Sequence, residues 1–188
     1  MKIGIKQSYP RIKTQIKYYA QLVKPYTVFS AFIFVFVLGL VAHLPYYELI
    51  PLSLSVAISH GFGQAINQIT DVEIDRVNKP YRPLVRGVIS IENAQRFSLV
   101  LLILSLGLVV WNLTYFAWVI VLNIFAFFYS EEPIRAKKHI WSIMWMAISR
   151  GIIPIVMIIG LSPLAIFTFL WVLAFQVTKD IGDEKGDA

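Results

Sequence analysis

Cysteine is absent from the 188-residue chain, which excludes disulfides and cysteine-ligated metal sites. Charged residues are scarce as well, at 15% of the chain against 57% hydrophobic residues. A water-soluble domain needs more polar material than this to cover its surface. Phosphate-binding glycine loops, Ser/His/Asp triads and zinc-ligand spacings are also missing. The composition therefore predicts a membrane protein without these common soluble-enzyme motifs.

Several apolar runs of about 16–20 residues are long enough to cross about 30 Å of hydrocarbon as helices. They predict an all-α, polytopic transmembrane helical bundle that forms one domain over residues 1–188, because lipid offers backbone groups no partner outside a helix. No small-residue cleavage site follows the basic N-terminus, so we expect the first span to be retained. The six predicted spans are Tyr26–Ala42, Leu49–Asn67, Phe97–Trp111, Thr114–Tyr129, Ile140–Gly160 and Pro163–Thr178.

The connections between these spans alternate between very short and longer, charged ones. Sixteen of the seventeen Lys and Arg residues lie in the longer connections and the termini, and the seventeenth, Arg150, lies inside the fifth span. The positive-inside rule therefore predicts that the N-terminus and the longer loops are cytoplasmic, in the cell membrane. Topology and anionic lipid explain the net charge of +6, so we expect no nucleic-acid partner.

Polar residues inside the predicted spans gather in their cytoplasmic halves. Such residues are costly in lipid and should face the interior of the bundle, which indicates a polar cavity open to the cytoplasm. The amides can equally serve as hydrogen-bonded links between helices, whereas Arg150 favours a functional or ion-paired role. The residues concerned are His60, Gln64, Asn67, Asn123, Arg150 and Gln176.

Asn67, Asp71 and Asp75 recur every four residues at the end of the second span, which predicts that they share one helix face. Like charges one turn apart repel, and a bound cation would relieve this repulsion. Mg²⁺ suits the position, because it takes oxygen ligands from one or two carboxylates and completes its shell with water and phosphate. These three residues are therefore predicted metal ligands, with the two aspartates also catalytic.

A second acidic cluster follows the sixth span on the same side, with Asp180, Asp183 and Asp187 at helical spacing. Two facing carboxylate clusters can hold two Mg²⁺ ions that bridge a diphosphate and neutralise its charge as it leaves. We predict all three as metal ligands, with Asp183 and Asp187 also catalytic. Either cluster alone is also compatible with a solvated acidic helix end.

The segment Arg76–Gly87 follows the first cluster and is cationic and too rich in proline for a helix. Arg offers phosphate a planar fork and Lys offers a point charge, so Lys79, Arg82 and Arg86 are predicted to hold the diphosphate. Charges that only set the topology are the alternative. The next cytoplasmic loop offers further candidates that can close the same opening: Tyr129, Ser130, Arg135 and Lys137.

These motifs resemble those of a known family. Asn67-xxx-Asp71-xxx-Asp75 with the following Asn-Lys-Pro-xx-Pro resembles the first aspartate motif of UbiA-type prenyltransferases. Asp183-xxx-Asp187 resembles the second motif in the form found in homogentisate prenyltransferases and related enzymes. The loop that follows Tyr129 resembles the family's loop between helices four and five, and the resemblance begins at Lys24-Pro25-Tyr26-Thr27.

The resemblance implies a bundle of about nine transmembrane helices around a central cavity, Mg²⁺ dependence, a prenyl diphosphate donor, and an aromatic or lipid acceptor. Homogentisate-type and archaeal lipid-ether enzymes are the nearest in motif. Because the sequence stops one residue after Asp187, we expect a truncated chain that holds the N-terminal two thirds of the family fold. Lys24, at the start of the resemblance, joins Tyr129 of the loop and Arg150 of the fifth span among the substrate-binding candidates.

The resulting hypothesis is Mg²⁺-dependent transfer of an isoprenyl group through an allylic carbocation, with aromatic side chains facing the cation. An ion-coupled transporter is the main alternative, since intramembrane carboxylates and Arg also mark ion pathways. Its carboxylates should lie near mid-bilayer, whereas these aspartates lie at helix ends. A non-catalytic fragment is the third possibility. A phosphotransferase acting on nucleotide-activated lipids lacks support, because its Asp-Gly and Ala-Arg motif is missing.

Overall fold

Helices and the turns between them account for all regular structure in the computed structural model, which describes the backbone of residues 12–183 and the side chains of residues 15–174. A 3₁₀ turn covers Ala136–Lys138, and a π-helical segment covers Ile148–Ile152. The α-helices in this part of the chain are α1 (Ile12–Val23), α2 (Pro25–Val41), α3 (Tyr46–Thr70), α4 (Val72–Asn78), α5 (Ile91–Gly107), α6 (Leu113–Ser130), α7 (Ser142–Ala147), α8 (Ile153–Ile159) and α9 (Pro163–Asp183).

The long helix α3 lies at the centre and packs against α1, α2, α5 and α6. Apolar side chains are as stable in lipid as between helices, so close packing and interhelical hydrogen bonds have to hold such helices together. A Cβ atom on Gly63 would lie 3.0 Å from Ala126 Cβ, which shows how closely α3 approaches α6. The Ser55 hydroxyl on α3 donates to the Ser105 carbonyl of α5 at 2.6 Å.

The main core lies between α2, α3, α6 and α8. It contains the following buried side chains: Val35, Leu52, Val56, Val109, Tyr115, Val119, Leu122, Ile153 and Met157. Nearby, the Asn123 side chain on α6 donates to Ser105 Oγ on α5 at 3.2 Å and to the Val119 carbonyl at 2.9 Å. Asn123 therefore links two helices, the structural role considered for it above.

The all-helical, polytopic prediction is confirmed, but the count of six spans is not. Three stretches are long and apolar enough to cross a membrane, namely α3, α6 and Ser142–Ile159. A fourth span results if α1 and α2 count as one helix bent by 55°. The apolar part of α9, Pro163–Ala174, is shorter than these, and α5 has 17 residues. Six spans therefore stay a prediction.

Two local expectations were wrong. The first three residues of the cationic segment, Arg76 to Asn78, belong to helix α4 rather than to a loop. The helix continues because the Lys79 N–H still donates to the Asp75 carbonyl at 2.8 Å, and it ends only where Pro80 forces Lys79 out of the helical conformation.

The fifth span is not one regular helix over Ile140–Gly160, because α7 begins at Ser142 and the π-helical segment interrupts it. Pro154 has no N–H to donate to the carbonyl of Arg150, so the regular α-helical bond is impossible at this point. On the next residue, the Gly151 carbonyl accepts a hydrogen bond from the Thr168 hydroxyl of α9 at 3.2 Å. The interruption therefore lies where α9 packs most tightly against this segment.

Candidate active site

A polar cavity of about 140 Å³ lies between α3, α6 and the π-helical segment. Four predicted substrate-binding residues reach it from four separate parts of the chain, because Lys24, Asn67, Tyr129 and Arg150 all line it. On α3 the lining residues recur at helical spacing and so form one face: Ser59, His60, Gly63, Gln64 and Asn67. We call the end of the cavity at Asn67 the mouth and the end at His60 and Arg150 the floor.

Lys24 reaches the cavity from the corner between α1 and α2. It adopts a left-handed backbone conformation with φ of 50°, which allows the chain to turn sharply between the two helices. The corner is held by the buried Gln68 of α3, whose amide donates to the Gln21 carbonyl at 3.0 Å and to the Leu22 carbonyl at 2.8 Å. Gln68 thereby satisfies carbonyls that a helix end otherwise leaves without a partner.

Asp71 follows α3 directly at the mouth and forms an ion pair with Lys137. The Lys137 Nζ atom lies 2.6 Å from Asp71 Oδ1 and 2.9 Å from Thr70 Oγ1. Burial lowers the pKa of Lys137, and the hydrogen bond with Asp71 and its negative charge oppose that shift. The pair ties the loop after α6 to the end of α3.

Asn67 reinforces the same junction, because its Oδ1 atom accepts a hydrogen bond from Ser130 Oγ at 3.1 Å. Ser130 is buried at the end of α6. The helical hydrogen bonds continue across the break between α3 and α4. The Asp71 N–H donates to the Asn67 carbonyl at 3.2 Å, and the Asp75 N–H donates to the Asp71 carbonyl at 2.8 Å. Asn67, Asp71 and Asp75 therefore still follow one another at successive helical turns.

Asp75 is buried and forms an ion pair with the equally buried Arg82. A buried charge needs a partner of opposite sign, and Arg82 supplies it from the segment after α4. The predicted diphosphate ligand Arg82 is thus engaged with a predicted metal ligand.

None of the cationic candidates in the two loops lines the cavity, including Arg82 and Lys137. Lys79 and Arg86 are exposed, and the Arg86 guanidinium lies over the Tyr18 ring, 5.9 Å from its centre. Arg135 pairs loosely with Glu132 at 3.6 Å. Their assignment to substrate stays a prediction.

The second acidic cluster lies beyond the part of the chain whose side chains are described. Asp180 and Asp183 belong to the backbone of α9, whereas Asp187 lies outside the described residues altogether. Among the described side chains, no group of three His, Asp or Glu residues lies close enough together to hold a metal ion. The two-cluster metal site therefore stays a prediction.

The donors at the mouth nevertheless fit Mg²⁺. The carboxylates of Asp71 and Asp75, each beside a cation, and the Asn67 amide offer hard oxygen donors. Mg²⁺ is commonly held by only one or two carboxylates, with substrate phosphates completing its shell. This donor set suits a metal that arrives with a phosphorylated ligand.

An apolar cavity adjoins the floor and shares His60 and Arg150 with the polar one. It has a volume of about 410 Å³, and an apolar groove beyond it shares Ser30 and Phe34. The sequence pattern did not give the location of this second chamber, because its walls come from α2, α3, α8 and α9. The two chambers together can take a ligand with a polar head and an apolar tail.

Comparison with known proteins places this geometry in a family. The model of the UbiA prenyltransferase family matches residues 27–188. Digeranylgeranylglyceryl phosphate synthase of Methanosphaera stadtmanae is 32% identical over 177 residues, which cover 90% of this chain and 64% of that protein. The synthase of Saccharolobus solfataricus is 38% identical over 96 residues, covering 50% and 34% of the two chains. The chain thus spans just under two thirds of the first of these relatives.

Solved structures share the fold. A UbiA homologue from Archaeoglobus fulgidus, bound to DMAPP and Mg²⁺, superposes with a TM-score of 0.78 at 23% identity over 90% of this chain and 65% of that one. A structure from a study of digeranylgeranylglyceryl phosphate synthase in membranes gives a TM-score of 0.77 at 26% identity, covering 93% and 65%.

Proposed function

Because the chain belongs to the UbiA prenyltransferase family, we propose that it serves in Mg²⁺-dependent transfer of an isoprenyl group from a prenyl diphosphate to an acceptor. The observation that carries the proposal is a pair of adjacent chambers. A polar cavity ends at Asn67, one turn before the Asp71–Lys137 pair, and it shares His60 and Arg150 with an apolar cavity. A diphosphate head and an isoprenoid tail match the two chambers in polarity.

At the mouth, Asn67, Asp71 and Asp75 would hold Mg²⁺ on one side of the donor. The bound metal would neutralise the negative charge that grows on the diphosphate as the C–O bond breaks. Lys137 lies 2.6 Å from Asp71, close enough to contact phosphate oxygens at the same place, and Lys24 is available from the α1–α2 corner. The second acidic cluster, Asp180, Asp183 and Asp187, would face them as the other metal site.

The apolar chamber would take the tail, and the aromatic side chains of the polar cavity would face the allylic cation. Phe125 and Tyr129 line that cavity, and Phe125 stacks on Trp145 with ring centres 4.3 Å apart. A fixed ring face attracts a cation electrostatically. When the diphosphate leaves with the electron pair of the C–O bond, the acceptor forms the new bond to the allylic carbon and then loses its proton.

The names of the relatives suggest the ligands to test. The Archaeoglobus fulgidus homologue was solved with DMAPP and with GPP, each with Mg²⁺, and the curated relatives are digeranylgeranylglyceryl phosphate synthases. A prenylglyceryl phosphate is therefore the first acceptor to try, before aromatic acids. We place the mouth on the cytoplasmic side, because the loops that form it are basic and the positive-inside rule assigns basic loops to that side.

A transfer assay tests the proposal. Labelled geranylgeranyl diphosphate and a prenylglyceryl phosphate are incubated with the purified chain in detergent, with Mg²⁺ or with EDTA, and the product is separated by chromatography. We expect product with Mg²⁺ only, and none from Asp71→Asn. Glu73→Gln is the matched control, because Glu73 is an exposed carboxylate two residues away that pairs only with Arg76. Metal-independent product, or equal loss in both variants, would contradict the proposal.

A further inference from the structure

Arg150 has no carboxylate partner among the side chains of residues 15–174. Three neighbouring buried or half-buried cations do pair with a carboxylate: Arg82, Arg135 and Lys137. No carboxylate in that range lies within 4 Å of Arg150, which lines both the polar and the apolar chamber. A charge without a partner at this depth is costly, and it therefore calls for an anion that the described protein does not supply.

Helix α9 contacts the backbone of Gly151, the residue after Arg150, and so holds this turn in place. A Cβ atom on Gly151 would meet the backbone of Phe169 at 3.1 Å, and the Thr168 hydroxyl donates to the Gly151 carbonyl at 3.2 Å. π-Helical segments inside α-helices occur often at functional sites. The irregular turn thus fixes the position of the one guanidinium on the floor of the cavity.

Arg150 lies at the opposite end of the cavity from the carboxylates of both acidic motifs. His60 shares its two chambers, and Asp71 follows His60 by eleven residues along α3 and its end, which is about 16 Å of helix rise. On α9, Thr168 lies beside Gly151, and Asp180 follows it by twelve residues, about 18 Å. Metals held at these carboxylates would therefore lie at the mouth, whereas Arg150 lies at the floor.

The chemistry gives a second reason for an anion at the floor. An unpaired guanidinium beside the apolar chamber would repel an allylic cation formed at its entrance. An anionic group bound to the guanidinium removes that repulsion. If the group belongs to the acceptor, the same contact also brings the nucleophile next to the reacting carbon, which is the main benefit of positioning.

We propose that Arg150, together with His60, binds the anionic headgroup of the acceptor as a subsite separate from the diphosphate site at the mouth. The guanidinium fork suits a phosphate monoester or a carboxylate, and a neutral imidazole can donate one further hydrogen bond. We assign a phosphate monoester on a glyceryl ether as the ligand. This inference rests on the proposed function for the donor and adds the acceptor to it.

The test measures equilibrium binding of three acceptor probes to the chain in detergent. The probes are a geranylgeranylglyceryl ether phosphate, the same ether without phosphate, and a hydroxyphenyl carboxylic acid. Arg150→Gln should weaken binding of the phosphorylated ether about 10- to 100-fold, the effect of one hydrogen-bonded charge pair. It should leave the dephosphorylated ether and a donor thio-analogue unchanged. Arg150→Lys should lose less, because the charge remains.

Arg96→Gln is the matched control, since Arg96 is an exposed arginine on α5 paired only with Glu92, and it should change nothing. Equal weakening of the phosphorylated and dephosphorylated ethers, or loss of the donor instead of the acceptor, would overturn the inference. An effect confined to the carboxylic acid would support the anion subsite but make an aromatic acid its ligand. Arg150-dependent acceptor binding in a chain that fails to bind the donor would contradict the proposed function and still support the subsite.

Discussion

The mouth and the floor of the polar cavity differ in whether their charged side chains have partners of opposite charge. At the mouth, Asp71 and Asp75 each lie against a cation, Lys137 and Arg82. At the floor, Arg150 has no carboxylate within 4 Å among the described side chains. Paired charges stabilise the fold and can exchange partners when a metal and a diphosphate bind. An unpaired charge weakens the fold and is suited to a ligand that brings its own negative charge.

The difference predicts opposite signs when charge is removed, and Asp75→Asn should have the largest effect. It leaves Arg82 buried without its partner, which costs about 3–5 kcal/mol of stability. Thermal unfolding in detergent measures it. The double variant Asp75→Asn/Arg82→Gln should recover part of the loss, and equal stability of single and double variants would contradict the importance of this pair.

Arg150→Met should instead raise the unfolding temperature. It removes a charge that costs about 2.5–3.5 kcal/mol near mid-bilayer on insertion scales and keeps much of the side-chain volume. We expect a gain of about 1–3 kcal/mol, since some of that cost is relieved by the polar cavity. A large loss of stability would mean that Arg150 has a structural partner, and the contrast between mouth and floor would fail.

Gln68→Leu should have an intermediate effect. Its amide satisfies two carbonyls at the end of α1, and leaving buried carbonyls without a partner costs about 1–3 kcal/mol. Because this contact holds the corner that carries Lys24, the variant should also weaken donor binding. Hydrogen exchange of α1 is the direct measurement, and unchanged protection there would contradict the role given to Gln68.

The smallest effect is expected for Arg96→Gln. Its exposed pair with Glu92, at 2.5 Å and one helical turn apart, should contribute no more than about 0.5 kcal/mol. The small difference between this variant and the wild type should shrink further between 50 mM and 500 mM salt, because salt screens exposed charges. A loss comparable to that of Asp75→Asn would show that exposure does not separate the strong pairs from the weak ones in this protein.

Sequence patterns were sufficient to predict the all-helical bundle, the inward-facing positions of His60, Gln64 and Asn67 near one end of the second span, and the place of Arg150 inside a span. It could not predict contacts between distant segments. Lys137 was a candidate for phosphate, but its pairing with Asp71 joins residues 66 positions apart. Gln68 looked like an ordinary polar residue beside the motif, although it is buried against α1.

Two further features could not be predicted from the sequence, the π-helical turn and the apolar chamber. The π-helical turn at Arg150 lies where α9 approaches Gly151 closely, and this approach is not visible in the sequence of the fifth span. The apolar chamber is formed by four helices, none of which shows it in its own sequence. Periodicity describes one helix at a time, whereas cavities and irregular turns arise from packing between helices.

The most direct test of the account is equilibrium binding of a thio-analogue of geranylgeranyl diphosphate to the chain in detergent, with and without Mg²⁺. We predict binding by the wild type and by Glu73→Gln that requires Mg²⁺. In Asp71→Asn and Asp183→Asn we predict a loss larger than the roughly 10- to 100-fold typical of residues that only orient a metal ligand. Equal binding of the analogue without Mg²⁺, or full binding by Asp71→Asn, would contradict the metal-dependent diphosphate site at the mouth.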